Sequence, residues 1–313
     1  MAAIITDLYI SLANGRMLPG IPPREESGDS YFYSDVCYEN PTTYCNELMP
    51  GHREVVASWY LTPERLAKET VWVTLTYFLL LVFIVPRLLC PISVKCGHKN
   101  LRPHFLISVA SVTCLSLQTY YKVWDASAYP NKVFFLVMPC NVTWIINVLL
   151  GFAPLSNVVR HSMIQFLLSF QVLVWAVFAA ADTADLKGPY EVEFFWFNHV
   201  LLLIPPFYYV LSGKVSTFKG LEDDAIREVV NFLQWIIFAC AIMGVFYFAV
   251  VTPLSFYSLL NLNYMLSPPP GTGLEGEDYR LISQGIIAVG FTIGRLVMVF
   301  VEFVLVGKKK KAD

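Results

Sequence analysis

Apolar runs of about twenty residues recur along this chain, each long enough to cross roughly 30 Å of hydrocarbon as an α-helix. Seven are legible: Val71 to Ile84 continuing past Pro86, Phe105 to Tyr121, Val133 to Phe152, Met163 to Ala181, Phe194 to Leu211, Val229 to Tyr257, and Leu281 to Val306. In lipid no water satisfies an exposed peptide group, so such runs must close their hydrogen bonds within themselves. The expected fold class is therefore all-α: a polytopic membrane protein with about seven transmembrane helices. Composition agrees. The 313 residues are 56% hydrophobic and 15% charged, with a mean hydropathy of +0.55, whereas soluble domains carry about a quarter charged residues. A net charge of −2 offers no basic surface for nucleic acid.

Basic residues orient the bundle, because cytosolic connections are enriched in Lys and Arg. With the N-terminal side placed outside the cytosol, the cytosolic set is Arg87, Lys95, Lys99, Arg102, Arg160, Lys214, Lys219, Arg227 and Lys308 to Lys311, twelve in all. The opposite face, after the first helix, holds four: Lys122, Lys132, Lys187 and Arg280. The expected organisation is a lumenal tail over residues 1–68, a helical domain over 69–307, and a cytosolic basic tail over 308–313. Residues 1–20 lack the basic and apolar pattern of a cleaved signal peptide, so the first helix is expected to direct translocation.

Cys37 and Cys45 lie in the lumenal tail, on the oxidising side, as either a disulfide or two thiols. Cys90, Cys96, Cys114, Cys140 and Cys240 show no C-x-x-C spacing for a metal or redox centre, and no cofactor is expected. The final Lys-Lys-Lys-Lys-Ala-Asp places Lys310 and Lys311 in the dilysine pattern read by retrieval coat machinery in the cytosol. Such an address is receptor-read, and the expected location is the endoplasmic reticulum membrane, multi-pass; the other reading of the run is the basic flank that ends many last helices.

Polar groups inside apolar runs are functional candidates because hydrocarbon penalises them. Most have structural readings. Gln165, Gln171 and Gln234 suit interhelical hydrogen bonds, and Arg295 and Glu302, two turns apart, suit a pair or the cytosolic surface. Two residues differ. Cys140 falls seven residues past Val133, ~10 Å below the lumenal end of a continuous helix, and His199 falls five past Phe194, ~8 Å below its own. The two share a depth. Pro139, just before the cysteine, removes one helix hydrogen bond and leaves the Phe135 carbonyl seeking a partner. Asn141, Asn147 and Asn198 are supporting polar residues that could orient an imidazole or steady an oxyanion.

A thiol and an imidazole at one depth are the minimum for covalent acyl transfer. The imidazole takes the thiol proton, the thiolate attacks an ester, and the imidazole then activates the acceptor.

Three blocks carry a family resemblance: Met138-Pro139-Cys140, Glu193 to Val200 (EFFWFNHV), and Asn261 to Leu266 (NLNYML) followed by Pro268. Tyr279-Arg280 and Lys122 add to them. Over roughly residues 55 to 300 the chain resembles the transmembrane protein 164 family of integral-membrane acyltransferases. The resemblance implies that Cys140 and His199 are the catalytic pair. It also implies transfer of polyunsaturated acyl chains from phospholipid to lyso-ether phosphatidylethanolamine through a cysteine acyl-enzyme. Family members carry His directly after the cysteine, where this chain has Asn141, and Gly-His-Gln near the last helix, where it has Ser283-Gln284-Gly285.

Two other classes share the helix count. A seven-helix receptor would show an Asp-Arg-Tyr at the end of its third helix, where this chain reads PLSNVVRH, and its sole N-P-x-x-Y match, Asn40 to Tyr44, precedes every helix. A small-solute transporter would show two related halves with broken helices, and no internal repeat is legible.

Overall fold

The computed structural model describes Asp7, Leu61, Thr183, Leu186 and residues 63–95, 100–124, 130–180, 188–217, 225–258, 262–266 and 276–306. Cys37, Cys45, Asn261, Pro268, Lys310 and Lys311 lie outside these residues. Among those described, all regular structure is helical: α1 Pro63–Lys95, α2 Phe105–Trp124, a 3-10 helix Pro130–Val137, α3 Pro139–Phe152, α4 Asn157–Ala180, α5 Glu191–Leu202, α6 Ile204–Leu211, α7 Ala225–Val245, a π turn Phe246–Val251, α8 Thr252–Ser258, a 3-10 turn Leu262–Tyr264, α9 Tyr279–Val301 and a π turn Glu302–Val306.

Five helical stretches are long and apolar enough to cross a membrane: Glu64–Leu88, Asn157–Phe178, Glu191–Leu211, Glu228–Ser258 and Tyr279–Leu305. They coincide with the first, fourth, fifth, sixth and seventh apolar runs. The first starts at Pro63, whose missing N–H is no loss in an opening turn, and it continues through Pro86 without a break. The second run is the 20-residue α2, which turns Ser108, Ser111 and Gln118 inward.

The third run differs from expectation. Val133 to Phe152 is not one helix: a 3-10 helix ends at Val137 and α3 begins at Pro139. Proline cannot donate into the preceding turn. The amide of Met138 instead donates to the Phe135 carbonyl at 3.0 Å, an i→i−3 bond that satisfies the oxygen expected to be orphaned. Cys140 therefore sits in the first turn of α3, not seven residues down a continuous helix, and a depth counted from Val133 does not apply.

The chain forms two compact units. One comprises Met1–Phe78, Lys122–Met138 and Met243–Gln284. Its polar centre is Arg280, whose guanidinium donates to the Leu66 carbonyl, to Glu69 and to the hydroxyls of Thr70 and Thr252, at 3.0 to 3.4 Å, and lies 4.6 Å from the Phe248 ring centroid. Arg65 holds Glu69 at 3.0 Å, Asp278 at 2.6 Å, and Glu277. A buried guanidinium is tolerated when its charge is paired and its terminal nitrogens find acceptors, as both do here.

The second unit comprises Leu79–Tyr121, Pro139–Ile242 and Gly285–Asp313. Here α3 packs on α4 and α5, α4 packs on α5, and α6 packs on both α4 and α5. Pro205 and Pro206, in the first turn of α6, separate that helix from α5. Gln165 and Gln171 make the expected links, to the Ser216 carbonyl at 3.0 Å and the Gly294 carbonyl at 2.9 Å. Arg295 follows neither reading, a pair with Glu302 or the cytosolic surface: it is buried and donates to Gln165 and to the Thr217 carbonyl, while Glu302 accepts from the Thr217 amide and hydroxyl. The loop residue stands between the two charges.

Close helix approach is visible at Gly294, where a Cβ would stand 2.8 Å from the Ser169 carbonyl oxygen of α4. Backbone cannot swing aside as a side chain can. Gly294→Ala is expected to push α4 and α9 apart at a cost of about 1–3 kcal/mol, whereas Gly285→Ala, with nothing within 4 Å, should be neutral or stabilising. Thermal unfolding of the two variants in detergent checks this, and equal midpoints would contradict the packing described.

Candidate active site

The helix that carries His199 starts at a built corner. Tyr190 adopts a left-handed conformation with φ 59°, and Glu191 Oε2 accepts from the Gly188 amide at 2.9 Å. Tyr121 of α2 donates to the Pro189 carbonyl at 2.9 Å and lays its ring 5.7 Å from that of Phe194. These contacts set the entry and rotation of α5, so that Asn198 and His199 both turn inward, 0% and 1% exposed.

Trp144 is the centre of the α3 side. It forms a buried cluster with Cys114, Val174 and Leu202, against which Cys140, Phe194 and Leu201 also pack. Cys140 and Trp144 are four residues apart and so share a face of α3. The indole N–H of Trp144 donates to Asn198 Oδ1 at 2.6 Å, a buried bond that ties α3 to α5. The structure thus brings the half-buried Cys140 thiol onto the cluster that also holds the Asn198 turn, with His199 the next residue along.

His199 Nδ1 lies 2.7 Å from the Phe195 carbonyl, and its ring centroid is 4.3 Å from that of Phe195. A carbonyl only accepts, so Nδ1 carries the hydrogen in the neutral ring and Nε2 is left as the proton acceptor. That is the tautomer a general base requires.

The three asparagines separate. Asn147 is buried and donates its Nδ2 to the Thr143 carbonyl of its own helix at 3.0 Å, leaving Oδ1 without a partner. Asn141, in the first turn of α3, is 2% exposed. Asn198 is held by Trp144, with Nδ2 buried and unpartnered. The sequence points to these amides but misses Trp144; its signal was the four-residue spacing from Cys140. Among the described residues no group of His, Cys, Asp or Glu could hold a metal ion.

The chain is 30% identical over 184 residues to a protein from Dictyostelium discoideum named Transmembrane protein 164 homolog, a match covering 56% of this chain and 58% of that relative. The chain therefore spans under two thirds of the relative's length. The relative carries the name of the family that the three sequence blocks resemble. No family model matches the chain, and no solved structure matches it.

Proposed function

We propose that this chain, a membrane protein related to the transmembrane protein 164 family, is an acyltransferase that works through a cysteine acyl-enzyme. The observation that carries the reading is a half-buried thiol in the first turn of α3, packed on the cluster through which α3 meets the helix bearing His199. First-turn amides lack intrahelical acceptors, and the positive end of a helix dipole favours a thiolate or oxyanion.

In the proposed reaction, His199 Nε2 takes the thiol proton and Cys140 Sγ attacks an ester carbonyl of a donor phospholipid. The C–S bond forms as the carbonyl electron pair moves to oxygen. Collapse breaks the C–O bond to glycerol, and the imidazolium returns its proton to the departing alkoxide. An acceptor hydroxyl then gives its proton to Nε2 and attacks the thioester, forming a new ester and restoring the thiol. Redox state is unchanged. The acyl chain is polyunsaturated and the acceptor a lyso-ether phosphatidylethanolamine, as the family resemblance implies. Labelling with a thiol-directed lipid electrophile, followed by mapping of the modified residue, tests the assignment. Modification at Cys140, blocked by prior incubation with donor phospholipid, is expected; label confined to other cysteines refutes it.

The same reading places about seven helices across the endoplasmic reticulum membrane, with the tail before Trp72 lumenal and the C-terminus cytosolic. In sealed microsomes a C-terminal epitope is expected to be digested by added protease, and changing Lys310 and Lys311 to serine should release a fraction of the protein to later compartments. A protected epitope overturns the orientation, and an unchanged distribution reduces the lysines to a basic flank.

A further inference from the structure

The proposed reaction develops negative charge on the carbonyl oxygen of each tetrahedral intermediate, and an enzyme must supply a preorganised donor to that atom. Three buried amides lie on the two helices that meet at the Trp144 cluster, Asn141 and Asn147 on α3 and Asn198 on α5, and the hydrogen bonds distinguish two of them. Asn147 has its Nδ2 held on the Thr143 carbonyl of its own helix and its Oδ1 as the atom without a partner, so its unsatisfied group is an acceptor, which an anion cannot use. Asn198 is the reverse. Indole nitrogen can only donate, so the bond from Trp144 Nε1 fixes the Asn198 atom it reaches as Oδ1 and sets the amide rotamer. The remaining atom, Nδ2, is a donor, fully buried and without a partner. A buried amide donor left unsatisfied carries a desolvation cost, which an incoming acceptor would remove.

Its position fits. Trp144, which holds it, lies one turn from Cys140 on the same face of α3, a separation of roughly 5–6 Å between Cβ atoms. We propose that Asn198 Nδ2 is an oxyanion donor for acyl transfer at Cys140, and that Trp144 is the positioning residue that keeps this donor turned toward the acyl carbonyl. The inference rests on the proposed cysteine mechanism and goes beyond it in assigning the group that stabilises its intermediate. The chemistry recognised is the carbonyl oxygen of an ester or thioester, so the donor acts in both half-reactions.

The test uses the full chain in lipid nanodiscs, with a polyunsaturated phosphatidylcholine as donor and a lyso-ether phosphatidylethanolamine as acceptor. Asn198→Leu keeps similar volume and removes the donor; kcat is expected to fall by about 10²- to 10³-fold, with KM changing less than about twofold because ground-state binding is untouched. Trp144→Phe keeps the ring and frees the amide to turn, and should lower kcat by roughly tenfold. The double variant removes both partners of the buried bond. Replacing both by apolar groups is close to neutral for stability, so its thermal midpoint should recover toward that of the unaltered chain while its kcat stays at the Asn198→Leu level.

Alkylation of Cys140 by iodoacetamide supplies the second readout. That displacement passes through no oxyanion, so its rate should be unchanged in all three variants that lose acyl transfer. If the double variant regains activity together with stability, the Trp144–Asn198 bond is only structural and the proposal is overturned. It is also overturned if alkylation falls in step with acyl transfer, since Asn198 would then act on the thiol. Full activity in Cys140→Ser would instead remove the cysteine mechanism, a failure recognisable because it involves neither Asn198 nor Trp144.

Discussion

Cys140→Ser and His199→Ala are each expected to lower transfer of polyunsaturated acyl chains by about 10³-fold or more, and the double variant to be hardly slower than either alone. Serine nearly keeps the thiol's volume, so the packing of Cys140 against Trp144 and Leu202 should survive. Its hydroxyl, however, is a far weaker acid than a thiol, and one neutral imidazole in lipid activates it poorly. Loss of His199 removes the base proposed to take the thiol proton. The structure alters the choice of control. Cys114 lies in the same buried cluster that Cys140 packs against, so a hydroxyl there would place an unsatisfied polar group beside the site. Cys240 on α7, outside that cluster, is the cleaner control, and Cys240→Ser should retain activity. Ether-lipid acylation measured in cells expressing only Cys140→Ser decides the matter, and a normal lipid profile would sink the cysteine mechanism.

Arg280→Leu is expected to destabilise the first unit by about 3–5 kcal/mol, since removing one member of a buried charge network strands the others. Arg280 joins residues more than two hundred positions away, the Leu66 carbonyl, Glu69 and the Thr70 hydroxyl, to Thr252 beside the π turn. Its fork engages them together, which a lysine ammonium cannot reproduce, so Arg280→Lys should rescue little. Replacing Glu69 by leucine in the Arg280→Leu background should recover part of the loss, because no uncompensated carboxylate then remains. Unfolding midpoints in detergent measure all three. A midpoint for Arg280→Leu equal to that of the unaltered chain would mean that the network contributes nothing.

Span positions were legible because length and hydropathy are properties of a segment by itself. Glu228–Ser258 and Tyr279–Leu305 could be read within a few residues without knowing any neighbour. The oddity of Cys140 and His199 was legible for the same reason, since a thiol after proline and a histidine amid Phe and Leu stand out in any apolar run.

The Pro139 break was half legible. Proline announced a missing hydrogen bond, but whether the helix would kink or restart depended on Met138 finding the Phe135 carbonyl. Hydropathy is blind to that choice, because it averages over a segment whose composition is the same in both outcomes.

What the sequence by itself determined is an all-helical membrane chain, the residue types available to its site, and the blocks that link it to a family. Only the tertiary structure decided which polar group meets which. Trp144 finds Asn198 across 54 residues, and Arg280 finds Thr70 across 210. In lipid any buried donor needs an acceptor, but many acceptors would serve. The pairing is selected by how helices rotate and approach as they pack, and that geometry belongs to no single segment. It is why the amide nitrogen of Asn198 is left without a partner while that of Asn147, equally polar and equally buried, is held on the Thr143 carbonyl of α3.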